Sequence, residues 1–263
     1  MPVASVNGVD LYYEVHGEGE PVVFIHGVAI RSRVWEFQKE EISKHFKMIV
    51  YDLRGSGKSS KTPWVTHTAE LLCDDLKGFI DHLGIGCISI VGLSMGAAVA
   101  MKFAIKYPSM AKKLVLSGAF ADLDGILNFI RTHFPLLVGR LLMTKFFGEL
   151  ATKTMLPSAP KKELLYYHKN IIRIDKDEVI KYNQILESYS ITPALNKIKA
   201  PALLLYGEYE KVLHKYGRLI SSKIPDAAME IIPGVGHGWN GEKPDLFSHK
   251  VMEFLKCCTN NIK

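Results

Sequence analysis

The sequence predicts an α/β fold: a mostly parallel eight-stranded sheet with helices on both faces and an inserted helical segment. Three observations carry this. Short β-branched apolar runs alternate with longer stretches of helical periodicity, the alternation that builds parallel sheets. The later runs are apolar throughout, as strands covered on both faces must be. The alternation then stops from about 120 to 199, where helical patterns broken by Pro135, Pro157, Pro160 and Pro193 run for eighty residues without a strand.

The candidate strands fall at 3–6, 11–15, 22–25, 48–51, 88–91, 113–116, 202–206 and 229–232. The first two flank Asn7-Gly8, a two-residue hairpin signal, and should pair antiparallel. Helical periodicity appears at about 33–45, 68–83, 95–107, 212–223 and 243–258. The expected organisation is a sheet core of 1–119 and 200–263, with 120–199 as a helical cap. An apolar stripe at 129–147 would cover a pocket or pack the cap onto the core.

Composition narrows the function classes. The 263 residues are 48% hydrophobic and 23% charged, the balance of a globular protein rather than a disordered one. Net charge is +6, but no Lys/Arg run exceeds two residues, so nucleic acid is not an expected partner. The interval 120–199 holds 12 Lys and Arg against 8 Asp and Glu, which reads either as a solvated helical surface or as a cap biased towards anionic substrates. The N-terminus lacks the basic and apolar regions of a signal peptide, and no apolar run is long enough to span a bilayer. Four cysteines are too few for a disulfide scaffold, and there is no C-x-x-C metal pattern; a cytoplasmic chain with reduced thiols is expected. Oligomeric state is not legible.

The chemistry centres on Gly92-Leu93-Ser94-Met95-Gly96, between an apolar run and a helical pattern. A serine on a sharp strand-to-helix turn needs small residues on either side, and there its hydroxyl is exposed beside a helix N-terminus. A serine hydroxyl is a weak nucleophile and requires a base. Among ten histidines, His237 is the one in a glycine-rich loop after a strand, Gly234-Val235-Gly236-His237-Gly238. The base in turn needs a carboxylate to hold its tautomer. Glu210, after the strand at 202–206, ranks first; Glu208 on the same turn and Asp122 beyond the strand at 113–116 are the alternatives. An oxyanion needs two preorganised N–H donors. Met95, following the serine, would supply one, and Val28, after His26-Gly27, the other.

One motif misleads. Gly57-Lys58-Ser59 ends like a phosphate-binding loop, but the position requiring its first glycine is Asp52. A turn held by the side chains of Asp52 and Arg54 is the better reading.

Together these residues resemble the α/β-hydrolase superfamily over essentially the whole chain. His26-Gly27 resembles its oxyanion loop, Asp52-Leu53-Arg54-Gly55-Ser56-Gly57-Lys58-Ser59 its D-x-R-G-x-G-x-S turn, and residues 92–96 its nucleophile elbow. Gly236-His237, with Glu242-x-Pro244 and Phe247, resembles its histidine loop and final helix. Within the superfamily the chain is similar to small carboxylesterases, 3-oxoadipate enol-lactonases and cofactor-free haloperoxidases. Glu210 stands where the family usually carries aspartate, so its longer side chain must fold back to reach His237. The resemblance implies a serine hydrolase acting on a small ester or lactone, with no metal or organic cofactor. A ligand-binding receptor with little turnover, a perhydrolase and a C–C bond hydrolase would use the same residues.

Overall fold

The computed structural model describes residues 2–28, 30–61, 67–122, 156–158, 181–182, 185 and 189–257. Among these, eight strands form one sheet: β1 (Val3–Val6), β2 (Val9–His16), β3 (Pro21–Ile25), β4 (Lys47–Tyr51), β5 (Ile88–Leu93), β6 (Ala111–Ser117), β7 (Ala202–Gly207) and β8 (Ala227–Ile232). Their spatial order is β1-β2-β4-β3-β5-β6-β7-β8. The hairpin β1–β2 pairs antiparallel with Val6 opposite Val9, so Asn7 and Gly8 are the whole turn, both at positive φ. β2 also meets β4 antiparallel, and every pair from β4 to β8 is parallel.

Burial on both faces explains the apolar runs. Val23 and Ile25 of β3, Ile90 of β5 and Leu204 of β7 belong to the core on one face; Val22 and Phe24, Val91 and Leu205 belong to the core on the other. The first face is covered by α2 (Ala69–His82), α3 (Met95–Lys106) and α4 (His214–Lys223), through residues such as Leu76, Phe103 and Ile220. The second is covered by α1 (Glu36–Ser43) and α6 (Pro244–Lys256), through Ile42, Phe247 and Val251. A single helical turn, α5 (Trp239–Glu242), precedes α6, and 3-10 turns run over Ser32–Trp35 and Thr192–Lys197. The sequence expectation of one helix at 33–45 thus resolves into a 3-10 turn followed by α1.

Two buried charges tie these layers. Lys113 of β6 donates from Nζ to the carbonyls of Phe254 (3.1 Å), Leu255 (2.9 Å) and Cys257 (2.5 Å), placing a cation at the negative end of α6. Arg54 makes a two-pronged ion pair with Asp75 of α2, at 2.6 and 2.7 Å. The expected loop-holding role therefore belongs to Asp52 alone, because the Arg54 guanidinium reaches out of its own turn to the helix.

Most of the expected cap, including the 129–147 stripe and half of the basic surplus, lies outside the described residues. Its two described ends meet. Ile191 N donates to the Ala121 carbonyl at 3.0 Å, Asp122 forms a bridge with Ser190, and Thr192 Oγ1 donates to the Asp122 carboxylate. The chain leaves the sheet after β6 and returns to it at one place.

Candidate active site

The sheet order reverses at β3, since the chain passes from β3 to β4 on one side and then to β5 on the other. Crevices for ligands open at such switch points, outside the C-terminal ends of the strands. The two loops flanking this one are His26-Gly27-Val28 after β3 and Ser94 after β5.

Ser94 sits at φ 55° and ψ −113°, a positive φ that non-glycine residues seldom adopt. Close packing holds it there. A β-carbon on Gly92 would lie 2.5 Å from the Ala97 nitrogen and the Gly96 carbonyl, and one on Gly96 would collide with the Ile25 carbonyl. Only glycines let β5, the turn and α3 approach β3 this closely. Ser94 N donates to the Ser117 carbonyl at 2.8 Å, and Ser94 O accepts from Ala97 N at 2.9 Å, so the turn is fixed on both sides. The serine is half-buried among fully buried neighbours, with α3 starting at the next residue.

The donors expected for an oxyanion flank it. Met95 is the first residue of α3, where amides have no intrahelical acceptor. A β-carbon on Gly27 would lie 3.3 Å from the Ser94 β-carbon, which places the loop carrying Val28 against the serine. Neither the Met95 nor the Val28 N–H has an acceptor among the described residues. His26 is fully buried, with Nδ1 on the Gly27 carbonyl at 2.8 Å and Nε2 accepting from Leu53 N at 3.0 Å. Burial pushes its pKa down despite the nearby Asp52, so it is a neutral bracket between the β3 and β4 loops.

His237 follows β8 in the glycine loop, and its Nδ1 lies 2.5 Å from Glu210 Oε1. Glu210 is buried, and the fold-back expected of its longer side chain is present: Oε2 accepts from Gly207 N, three residues earlier, at 2.5 Å. Both residues rest on Gly118, where a β-carbon would lie 2.6 Å from His237 Cε1 and 3.0 Å from Glu210 Oε1. Gly118 directly follows Ser117, whose carbonyl holds Ser94, so the serine and the histidine flank the same strand end. Burial alone would lower the His237 pKa; the charge of Glu210 and its hydrogen bond outweigh it, and the net shift is upward. Ser94 Oγ makes no hydrogen bond among the described residues, a contact that in unliganded enzymes often tightens only when substrate binds.

The two alternative carboxylates are engaged elsewhere. Glu208 is exposed and accepts from Gly234 N at 2.8 Å. Asp122 bonds Thr192 at the neck of the insertion. Sequence reasoning missed the work of Glu242, which accepts from Gly236 N at 2.6 Å beside the histidine. Its only signal was its place in the histidine-loop pattern. Among the described residues no group of three or more His, Cys, Asp or Glu could hold a metal ion, and no helix is long and apolar enough to cross a membrane.

The family model of the alpha/beta hydrolase fold matches residues 20–244. A 2-hydroxy-6-oxononadienedioate/2-hydroxy-6-oxononatrienedioate hydrolase of Comamonas testosteroni is 26% identical over 91% of this chain and 88% of its own. A thermophilic esterase from Thermogutta terrifontis, solved with malate bound, is 26% identical at a TM-score of 0.78, over 97% of this chain and 96% of that one. An enol-lactonase from Burkholderia xenovorans shares the fold at a TM-score of 0.85, with 24% identity over 97% of this chain and 100% of that one.

Proposed function

We propose that this chain, which belongs to the alpha/beta hydrolase fold family, is a serine hydrolase that cleaves a carboxylic ester or lactone through an acyl-enzyme, with Ser94, His237 and Glu210 as its triad. One observation carries the reading: a histidine bonded through Nδ1 to a buried carboxylate shares a strand end with a serine held at positive φ. With Nδ1 committed to Glu210, Nε2 is the nitrogen left to exchange a proton with Ser94. The likeness to an esterase at 26% identity supports an ester substrate.

In this mechanism Ser94 Oγ attacks the carbonyl carbon as His237 Nε2 takes its proton. The Met95 and Val28 amides receive the developing oxyanion, aided by the N-terminus of α3. The imidazolium, stabilised by Glu210, protonates the leaving alkoxide. Water then attacks the acyl-enzyme with His237 again as base, releasing the acid and restoring Ser94. None of these steps calls on a metal or an organic cofactor. The substrate-covering part is assigned to the insertion at 120–199 between core segments 1–119 and 200–263, supported by the meeting of its ends at Ala121, Asp122, Ser190 and Ile191.

The similarity to a hydrolase of Comamonas testosteroni whose name denotes a dienedioate substrate favours a second reading, C–C bond hydrolysis by the same residues. A fluorophosphonate should label Ser94 in the wild type and leave the Ser94→Ala protein unlabelled. Steady-state rates on p-nitrophenyl esters, lactones and a 2-hydroxy-6-oxo-dienoate sort the readings. Turnover of esters or lactones that collapses about 10⁴-fold or more in Ser94→Ala supports the proposal. Turnover confined to the dienoate moves it to C–C cleavage, and labelling without turnover marks a receptor. Ester turnover retained in Ser94→Ala overturns the triad.

A further inference from the structure

The histidine loop is held at several points, and one of them reaches into the insertion. Glu208 takes the Gly234 amide, Tyr209 N donates to the Val235 carbonyl at 3.1 Å, and Glu242 takes the Gly236 amide. Glu242 is only 6% exposed. Its Oε1 accepts from Gly236 N, and its Oε2 accepts from Ser158 N at 2.8 Å and from the Ser158 hydroxyl. No cation pairs with it among the described residues; the neighbouring Lys243 turns to the Pro233 carbonyl at 2.9 Å. Burying a carboxylate is costly, and among the described residues three neutral donors offset that cost here. Two residues before Ser158, Leu156 is 1% exposed in the same apolar cluster as Val235 and Trp239. The 156–158 segment is thus tied to Glu242 through Ser158 and shares the apolar core beneath the histidine loop through Leu156.

We propose that Glu242 is a positioning residue that makes the placement of His237 depend on Ser158. The proposal rests on the triad reading above. Gly236 adjoins His237, and among the described residues the imidazole makes one hydrogen bond, to Glu210, besides its seat on Gly118. Freeing the Gly236 amide lets the backbone before His237 relax, and that bond lengthens. Because the other carboxylate oxygen is held by Ser158, the setting of the base follows the seating of a segment 79 positions away in the chain.

The test uses Ser158→Ala, Glu242→Gln and the double variant of the full chain, with kcat and KM measured on an ester the wild type turns over. Three further readouts are the acid limb of kcat/KM, fluorophosphonate labelling at Ser94, and the low-field proton resonance of the His237–Glu210 hydrogen bond. Ser158→Ala should lower kcat about 3- to 10-fold with KM little changed, move the acid limb to lower pH, and weaken the low-field resonance. Glu242→Gln should lower kcat roughly 10- to 100-fold, and the double variant should be no worse than Glu242→Gln alone. Ser158→Thr, which keeps the hydroxyl and the amide, should restore wild-type values.

Wild-type kcat, acid limb and resonance in Ser158→Ala would overturn the proposal, as would losses that multiply in the double variant. If Glu242→Gln does not fold, the Ser158→Ala and Ser158→Thr pair decides alone. A wild type that neither labels nor turns over refutes the triad reading instead, while the resonance and its response to Ser158→Ala still test the connection.

Discussion

Two glycine-rich turns leave strands that flank β3, and they use their backbone donors in opposite ways. The turn after β4 is filled from within. Asp52 accepts from Ser32 N at 2.7 Å and Lys58 N at 2.8 Å, its carbonyl takes the Ser59 hydroxyl at 2.6 Å, and Ser59 Oγ accepts from Tyr12 N at 3.0 Å. A β-carbon on Gly57 would collide with the Asp52 carboxylate, so an acidic side chain occupies the hollow where a phosphate-binding loop would hold its ligand. The turn after β5 is left open: Ser94 Oγ and the Met95 amide have no partner among the described residues, and the strain of a positive φ is retained. Composition hardly separates the two. What separates a structural turn from a reactive one is whether its polar groups are satisfied by its own fold.

Variants can break this contrast, and the largest effect is expected at the base proposed for the open turn. Glu210→Gln should lower kcat about 10³- to 10⁴-fold, because an amide can hold the imidazole in the wrong tautomer and cannot stabilise the imidazolium. The pH profile gives an independent sign. The His237 pKa is raised above 6.5 because the Glu210 charge and hydrogen bond outweigh burial; in the proposed mechanism the neutral imidazole is the base, so wild-type activity should rise with pH through a midpoint above 6.5. Removing the charge leaves burial in command, and the residual activity of the variant should titrate at lower pH. An unmoved acid limb would show that another carboxylate governs His237.

The filled turn should respond in stability and not in chemistry. Asp52→Asn replaces one acceptor oxygen with an amide facing a backbone N–H, at a cost of about 2–3 kcal/mol. Thermal denaturation should then begin roughly 5–10 °C lower. Fluorophosphonate labelling of the folded variant at Ser94 should stay stoichiometric. Lost labelling in protein that is still folded would mean that the turn supports the reactive serine directly, and the contrast between the turns would fail.

Much of this was legible before the fold was known, for identifiable reasons. The inner strands β3 to β7 announced themselves because two-faced burial demands apolar residues at consecutive positions, and the half-exposed edge hairpin β1–β2 did so through its Asn7-Gly8 turn. Glu210 could be ranked ahead of Asp122 because β7 and β8 are consecutive strands, which places their loops side by side. The failures share a cause as well. Arg54 pairs with Asp75, 21 positions on, and Glu242 with Ser158, 84 positions back. Such partners are chosen by the path of the chain, and in the second case one donor is a backbone amide, which every residue but proline carries. The single turn Trp239–Glu242 is too short to show a helical period.

The smallest expected effect separates the three carboxylates that sequence alone left in competition. Glu208 and Glu210 lie two residues apart on one turn, and both serve the histidine loop, but Glu208 touches only its backbone, at Gly234 N. Glu208→Gln keeps a carbonyl oxygen for that amide and changes a charge in open solvent. Its kcat/KM should therefore stay within about threefold of wild type, and its stability within about 0.5 kcal/mol. Asp122→Asn keeps an acceptor for Thr192 at the neck of the insertion, and the same threefold bound applies. Measured beside Glu210→Gln, the two variants put a gap of two to three orders of magnitude between the carboxylate that holds the imidazole and those that hold the chain around it. A hundredfold loss in either would move the orienting role to that residue, since each substitution leaves one acceptor oxygen for the single bond described for that side chain.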